Sequence, residues 1–415
     1  MNALLRLLWE HPADSQGLVC AFTPDGKTLI GGAEDGSLYA FARDGSLLWK
    51  QQIQGEAFRF AFSRRSNILA VGTIRGADTS VLNFESGELL WKHSGNAQTK
   101  AGVAVTEDGE RIVSGDDEGK IRCFARDGSL LWQYACNHRK IARLSMTPNG
   151  RRIVFGGNDY IYCLDETGEL LWRYRTGGEV WAGARVLPDG SRVIGGSNDQ
   201  YVYLLDEAGE LLWRYKLGGN VNITYPTADG AFIAAGSTDS HAYLFSGAGE
   251  LLWKYRTGDS IYGLSLSADA EFVAVASYDR HIYLFNRTGE LLEKYRTGNQ
   301  VYAVDITADG RFIGSFGFDK HIYLFENRYA ARTDAERAEV HGILKQRAIA
   351  QMRRAFVENT YYGLCYWFDQ FNQLLRRNEF DLCDALIAEA RQEGYPFTPA
   401  EHRFVDSREG AILLK

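Results

Sequence analysis

Apolar residues in this chain come in short alternating runs, each closed by a cluster of Gly, Asn, Asp, Ser or Pro, which is the period of half-buried strands and not of helices. The fifth of a series of similar units, residues 178–215, shows the pattern: VWAGARV predicts an innermost strand, SRVIGG a second, YVYLL a third and ELLWRY an outermost one. Pro188-Asp189-Gly190, Ser197-Asn198-Asp199 and Glu207-Ala208-Gly209 separate them, as tight turns with positive φ or side-chain-to-backbone hydrogen bonds require.

This unit recurs. Leu-Leu-Trp ends at Trp9, Trp49, Trp91, Trp132, Trp172, Trp213 and Trp253, with Leu291-Leu292-Glu293 as an eighth copy, at spacings of 40, 42, 41, 40, 41, 40 and 40 residues. Four short strands in such a period predict one propeller blade. The three inner strands occur eight times, beginning near Leu18, Phe58, Ala101, Ala142, Ala182, Asn222, Tyr262 and Tyr302, but the last unit stops at Phe325-Glu326-Asn327 without an outer strand. The spare outer strand is residues 4–9, and docking it onto the last blade closes the ring and removes an exposed edge. The expected fold is therefore an all-β, eight-bladed propeller over 1–327, closed by the N-terminal strand. Each Trp is expected to bridge neighbouring blades, and Asp35, Asp117, Asp199, Asp239, Asp279 and Asp319 to form turns.

Residues 328–415 switch to a helical period and predict a small appendage of three to four helices. Thr333-Asp334-Ala335-Glu336 matches a capping box ahead of a first helix over 338–356, with Val340, Leu344, Ala348, Met352 and Phe356 on one stripe. Further helices are expected over 361–377 and 379–393, and a short one near Thr398-Pro399; NEFDLCDALIAEARQEGY resembles half of a tetratricopeptide hairpin. Tyr361, Tyr362, Tyr366, Trp367, Phe368 and Phe371 need cover from other protein, which makes a homo-oligomer through these helices one expectation.

Composition narrows the function. The formal charge of -7 lacks the basic footprint that phosphate neutralisation demands, so nucleic acid is not an expected partner. The imbalance belongs to the propeller, because the tail from Arg328 carries 13 basic and 13 acidic residues. Cys20, Cys123, Cys136, Cys163, Cys365 and Cys383 show no C-x-x-C spacing, as expected of buried thiols in a reducing compartment. MNALLRLLWEHP is too short in its apolar run for a secretory signal, Gly17-Leu18-Val19-Cys20 lacks the apolar segment of a lipoprotein site, and no stretch is long enough to span a bilayer. A cytoplasmic location without membrane insertion is the expectation, in an assembly of bacterial type.

The segments DETGELLWRY, DEAGELLWRY and the DGSLLW copies resemble the repeats of quinoprotein (PQQ-dependent) dehydrogenase-like propellers, a likeness covering residues 1–327. TPDGKTLIGGAEDGSLYAF and LPDGSRVIGGSNDQYVYLL also resemble WD-repeat blades. Both resemblances imply the same architecture with a docking Trp. Quinoprotein dehydrogenases hold PQQ beside a disulfide of adjacent cysteines and a calcium ion; this chain has no adjacent cysteine pair, so no cofactor is expected. Units four to seven are near copies, with RYRTGGE, RYKLGGN, KYRTGDS and KYRTGNQ at matching places, whereas a catalytic centre demands unlike residues on different blades.

His241, His281 and His321 share one repeat position on the third strand, away from the channel, and are read as structural turn residues, not as a metal site. Catalytic triads, H-E-x-x-H motifs and Walker loops do not occur. The repeats diverge at the channel mouth, with Phe58, Lys100, His138, Arg139, Lys140, Trp181, Asn222, Tyr262 and Tyr302. With Trp367 and Phe371 of the tail, the candidate partner-binding residues are Phe58, Arg139, Trp181, Asn222, Tyr262 and Tyr302. The expected function is a non-enzymatic protein-interaction scaffold or sensor subunit of a cytoplasmic multiprotein assembly; the alternative is a quinoprotein-like oxidoreductase or small-ligand enzyme.

Overall fold

The computed structural model describes residues 4–75, 79–93, 102–116, 118–136 and 141–330, together with 333, 336 and 337. The chain divides into two compact units, Met1–Ala331 and Arg332–Lys415. Among the described residues of the first, 32 strands form eight four-stranded antiparallel sheets, seven of them built from consecutive strands. The eighth combines both ends: Leu5–Pro12 pairs with His321–Asn327, from Leu5 opposite Asn327 to Pro12 opposite His321. Arg328 N–H donates to Leu4 O at 2.8 Å and Ala13 N–H to Lys320 O at 2.7 Å, which ties both ends of this junction. Inner strands touch in sequence around the ring, and Val301–Ile306 of blade 8 meets Gly17–Phe22 of blade 1. The strand count read from the repeat thus corresponds to a closed eight-bladed propeller.

The core lies in layers between blades, because each sheet buries both faces against its neighbours. Between blades 4 and 5, for example, Val154, Ile161 and Cys163 interlock with Val180, Ala184, Val193 and Tyr203. Sheets converge towards the axis and diverge towards the rim, so small residues fill the inner end and indoles the outer. Trp172 Nε1 donates to the Glu207 carbonyl of the next blade at 3.0 Å. Its ring covers Gly209, whose φ of +84° suits glycine and where a Cβ would stand 2.5 Å from the indole. All seven Trp of the repeat make this bond to the following blade, at 2.8–3.2 Å.

Blade 7 carries Glu293 in that place, and the reason is topological. Its neighbour is blade 8, whose third and outer strands come from opposite ends of the chain, so no hairpin turn exists to receive an indole.

The structure shortens one predicted strand. The inner strand of blade 5 is Gly183–Val186, not the longer VWAGARV run. Gly183 N–H closes a turn on Val180 O at 3.2 Å, with Gly183 at φ +76°, so Trp181 stands on a turn ahead of the sheet. At the start of the second unit the capping box is formed: Thr333 N–H and Oγ1–H donate to Glu336 Oε2 at 2.8 Å, and Glu336 N–H to Thr333 Oγ1 at 3.4 Å. The helices expected beyond it, with Trp367 and Phe371, lie outside the described residues.

Candidate functional site

Alternation along the inner strands sends every second side chain into the channel. Counting back from the residue whose N–H closes each inner turn (Ser63, Thr147, Leu187, Thr307), the second and fourth positions form two rungs of the channel wall. Most are small: Ala21, Ala61, Ala104, Ser145 and Ser265 on one rung; Gly102, Gly183, Gly263 and Ala303 on the other. Against this background stand Arg59, Arg143 and Arg185, with Tyr225 and Asp305. Room for Arg143 depends on blade 5, since a Cβ on Gly183 would lie 2.1 Å from the Arg143 Cβ.

The lumen these groups surround is a cavity of about 710 Å³. It continues into a second of about 550 Å³, and the two share Arg64, Arg185, Tyr225 and Asp305. Asp305 is spent on structure: Oδ2 accepts Phe22 N–H at 2.9 Å and Oδ1 accepts the Ser265 hydroxyl at 2.7 Å, joining blades 1, 7 and 8. Burial pushes its pKa up, against those two hydrogen bonds.

The arginines have no such satisfaction. Arg59 stacks on the Phe58 ring at 3.8 Å, donates to the Phe58 carbonyl at 2.8 Å and also engages the Tyr302 hydroxyl. Arg185 lies 4.6 Å over the Tyr225 ring. Among the described residues, the buried Nε of Arg59, Arg143 and Arg185 each lacks a hydrogen-bond partner. Burial pushes Arg59 down to about 10, Tyr302 opposing and Arg185 adding to the effect. Burial and then the charges of Arg59 and Arg185 press Arg143 well below its usual range.

Above the arginines the mouth is aromatic. Tyr262 stacks on Tyr278 at 4.3 Å and on Tyr302 at 5.6 Å, and Tyr302 stacks on Phe318 at 5.7 Å. Tyr262, Tyr302 and Trp181 are part-exposed. Phe58 is only 3% exposed, and Asn222, 6% exposed, spans blades by donating from Nδ2 to Ile261 O at 3.0 Å. Lys100, His138, Arg139 and Lys140 lie outside the described residues. The structure therefore brings together Phe58, Tyr262 and Tyr302. Arg59, Arg143 and Arg185 were not singled out from sequence, although an arginine at a wall position that is small in most other blades is a readable signal.

The repeated histidines serve the turns. Nδ1 of His241, His281 and His321 donates to the carbonyl of Asp239, Asp279 and Asp319 at 2.9, 3.0 and 2.9 Å; a carbonyl only accepts, so the proton sits on Nδ1. Cys20, Cys123, Cys136 and Cys163 are buried, and burial lifts Cys123 and Cys163 to about 11. No helix among the described residues is long and apolar enough to cross a membrane.

The outer rim carries a second feature that the sequence reading passed over. Leu47, Leu48, Leu90, Leu130, Leu131, Leu170, Leu171, Leu211 and Leu212 are 39–55% exposed. A register shift recurs where the outer strand enters its sheet, as between Leu204 and Leu205, opposite Trp213 and Leu211. Such a bulge breaks the alternation that would otherwise bury one leucine of each pair.

Known proteins place this architecture. No curated protein matches the chain in sequence. Among solved structures, the crystal structure of the computationally designed Ika8 protein is 20% identical, with a TM-score of 0.67 over 77% of this chain and 99% of that one. BamB from Moraxella catarrhalis is 16% identical, with a TM-score of 0.64 over 78% of this chain and 99% of that one. The sequence profile described as outer membrane protein assembly factor BamB matches residues 72–179 and 157–315. Those matches span the repeat that builds the blades, and by them this eight-bladed propeller belongs to the BamB family.

Proposed function

We propose that the chain is a non-catalytic interaction scaffold or sensor subunit of a multiprotein assembly in the cytoplasm, with protein rather than nucleic acid as partner. The observation that carries this reading is the leucine rim, where large apolar groups, 39–55% exposed, recur along the free outer strands of five successive blades. Apolar groups repeated along open strand edges favour contact with another protein over contact with water. The near identity of units four to seven supports a structural role. An assembly-factor description for the family agrees with a part in an assembly.

Part-exposed Trp181, Tyr262 and Tyr302 offer a second contact at the mouth, with Phe58 and Asn222 supporting it from behind. Arg139, Trp367 and Phe371 belong to the same reading. The test is a triple variant, Leu130→Lys, Leu171→Lys and Leu212→Lys, whose sites are already solvated. Melting should stay within a few degrees of the parent, while partners captured from the native host and identified by mass spectrometry are lost. Unchanged capture, or dye-linked substrate oxidation after addition of PQQ and calcium, would overturn the proposal.

A further inference from the structure

The geometry points to a binding site for a small multivalent oxyanion, bearing phosphate or carboxylate groups, inside the propeller channel, held by Arg59, Arg143 and Arg185 from blades 2, 4 and 5. This goes beyond the scaffold reading and does not depend on it.

Three observations carry the assignment. First, the guanidiniums are set deep in the channel wall, yet each side chain keeps a part-exposed edge towards the lumen. Their Nε groups are buried without partners, and neither the Arg143 nor the Arg185 side chain makes a hydrogen bond or ion pair among the described residues. A buried donor left unmade costs stability, and more so when it is charged. Second, the carboxylates lining this lumen cannot balance three cations: Asp305 faces Arg185 with a single charge. Asp305 gives its oxygens to Phe22 and Ser265, and Asp25 is held by Thr23 and Lys27. Third, most of the neighbouring wall positions are glycine, alanine or serine, with Val19, Ile223 and Tyr225 the larger ones, which leaves a lumen of about 710 Å³, within the range of small-ligand sites.

Arginine keeps its proton in proteins. Three of them pressing on one another in a low-dielectric channel therefore cannot relieve the repulsion by neutralising, as Lys or His could, and an anion is what remains to balance them. Planar forks from three directions suit the several oxygens of a phosphate or a polycarboxylate. The chain as a whole carries -7, so anions are repelled elsewhere and a saturable site stands out. The site lies under Tyr262 and Tyr302, which border the same cavity.

The experiment is calorimetric titration of the full chain at low ionic strength with inorganic phosphate, pyrophosphate and citrate, beside melting curves. The expected result is one-to-one binding of pyrophosphate or citrate; the tighter of the two identifies phosphate or carboxylate as the source. Arg143→Met and Arg59→Met should each weaken that binding tenfold or more, as loss of a charge-assisted contact does, and Arg185→Lys should weaken it less. Without anion, Arg143→Met should melt at or above the parent temperature, because it relieves repulsion. Absence of saturable binding, affinity unchanged in both Met variants, or a marked fall in the anion-free melting temperature of Arg143→Met would overturn the proposal. Saturable binding of an oligoglutamate peptide without binding of the small anions would also overturn it, and would assign the arginines to a protein partner.

Discussion

In blade 6 the carboxylate of Asp239 gathers three groups: Oδ1 accepts His241 N–H at 2.9 Å, while Oδ2 accepts Gly218 N–H at 2.8 Å and the Tyr243 hydroxyl. Asp279 and Asp319 repeat the arrangement with Tyr283 and Tyr323. Burial raises the Asp239 pKa, but bonds from His241 and Tyr243 outweigh it and bring the carboxyl from 3.8 to about 2. A carboxylate depressed in the folded state stabilises above its unfolded pKa and loses that contribution as pH falls through the folded one. The window is therefore between about pH 4 and pH 2, and the contribution is ~2 kcal/mol at neutral pH. Asp239→Asn should lower stability by about that amount at pH 7, and denaturant melts should show the gap to the parent closing as the pH drops to 2. Sequence marks these aspartates as turn residues. That each also reaches back to a glycine amide on the approach to its own blade, and to a tyrosine two positions beyond its histidine, depends on packing.

Between blades the unit of stability is an indole seated on a neighbour's glycine turn. Trp253 is 2% exposed, bonded to Arg287 O at 2.9 Å and packed over Gly289. Trp253→Ala should cost 3–5 kcal/mol or so, measured by urea denaturation. Glu293→Trp tests the topological account of the missing indole: with no hairpin turn on blade 8, it should gain less than ~0.5 kcal/mol. A larger gain would mean that the closing junction does receive an indole. The period of the Trp and its bridging role are visible in the sequence, because a large apolar group at one strand position has few other uses. Exposure of both leucines beside it in blades 1, 3, 4 and 5 is not, because strict alternation would bury one of them; the bulge interrupts that alternation, while in blade 7, with the same bulge, Leu292 stays buried.

The whole ring depends on a pairing between residues more than 300 apart, Leu5 with Asn327. Removing residues 1–12 would leave His321–Asn327 as an open edge strand and take away Leu4 and Leu5, which are 1% and 4% exposed, from the core they fill. The truncated chain should melt well below the parent and elute as aggregates in size-exclusion chromatography; a monomer with parental melting would refute closure by this strand. By itself the sequence determined the blade count, the strand order within a blade and the closing strand, because strand period, turn chemistry and repeat length are local and recur eight times. Only the tertiary structure decided what the channel holds. Arg59, Arg143 and Arg185 are separated by 84 and 42 residues and do not share one strand position, Arg59 and Arg143 lying four residues before the inner turn and Arg185 two. Closing the ring brings them to one lumen, and the small residues of the other blades leave that lumen open to them.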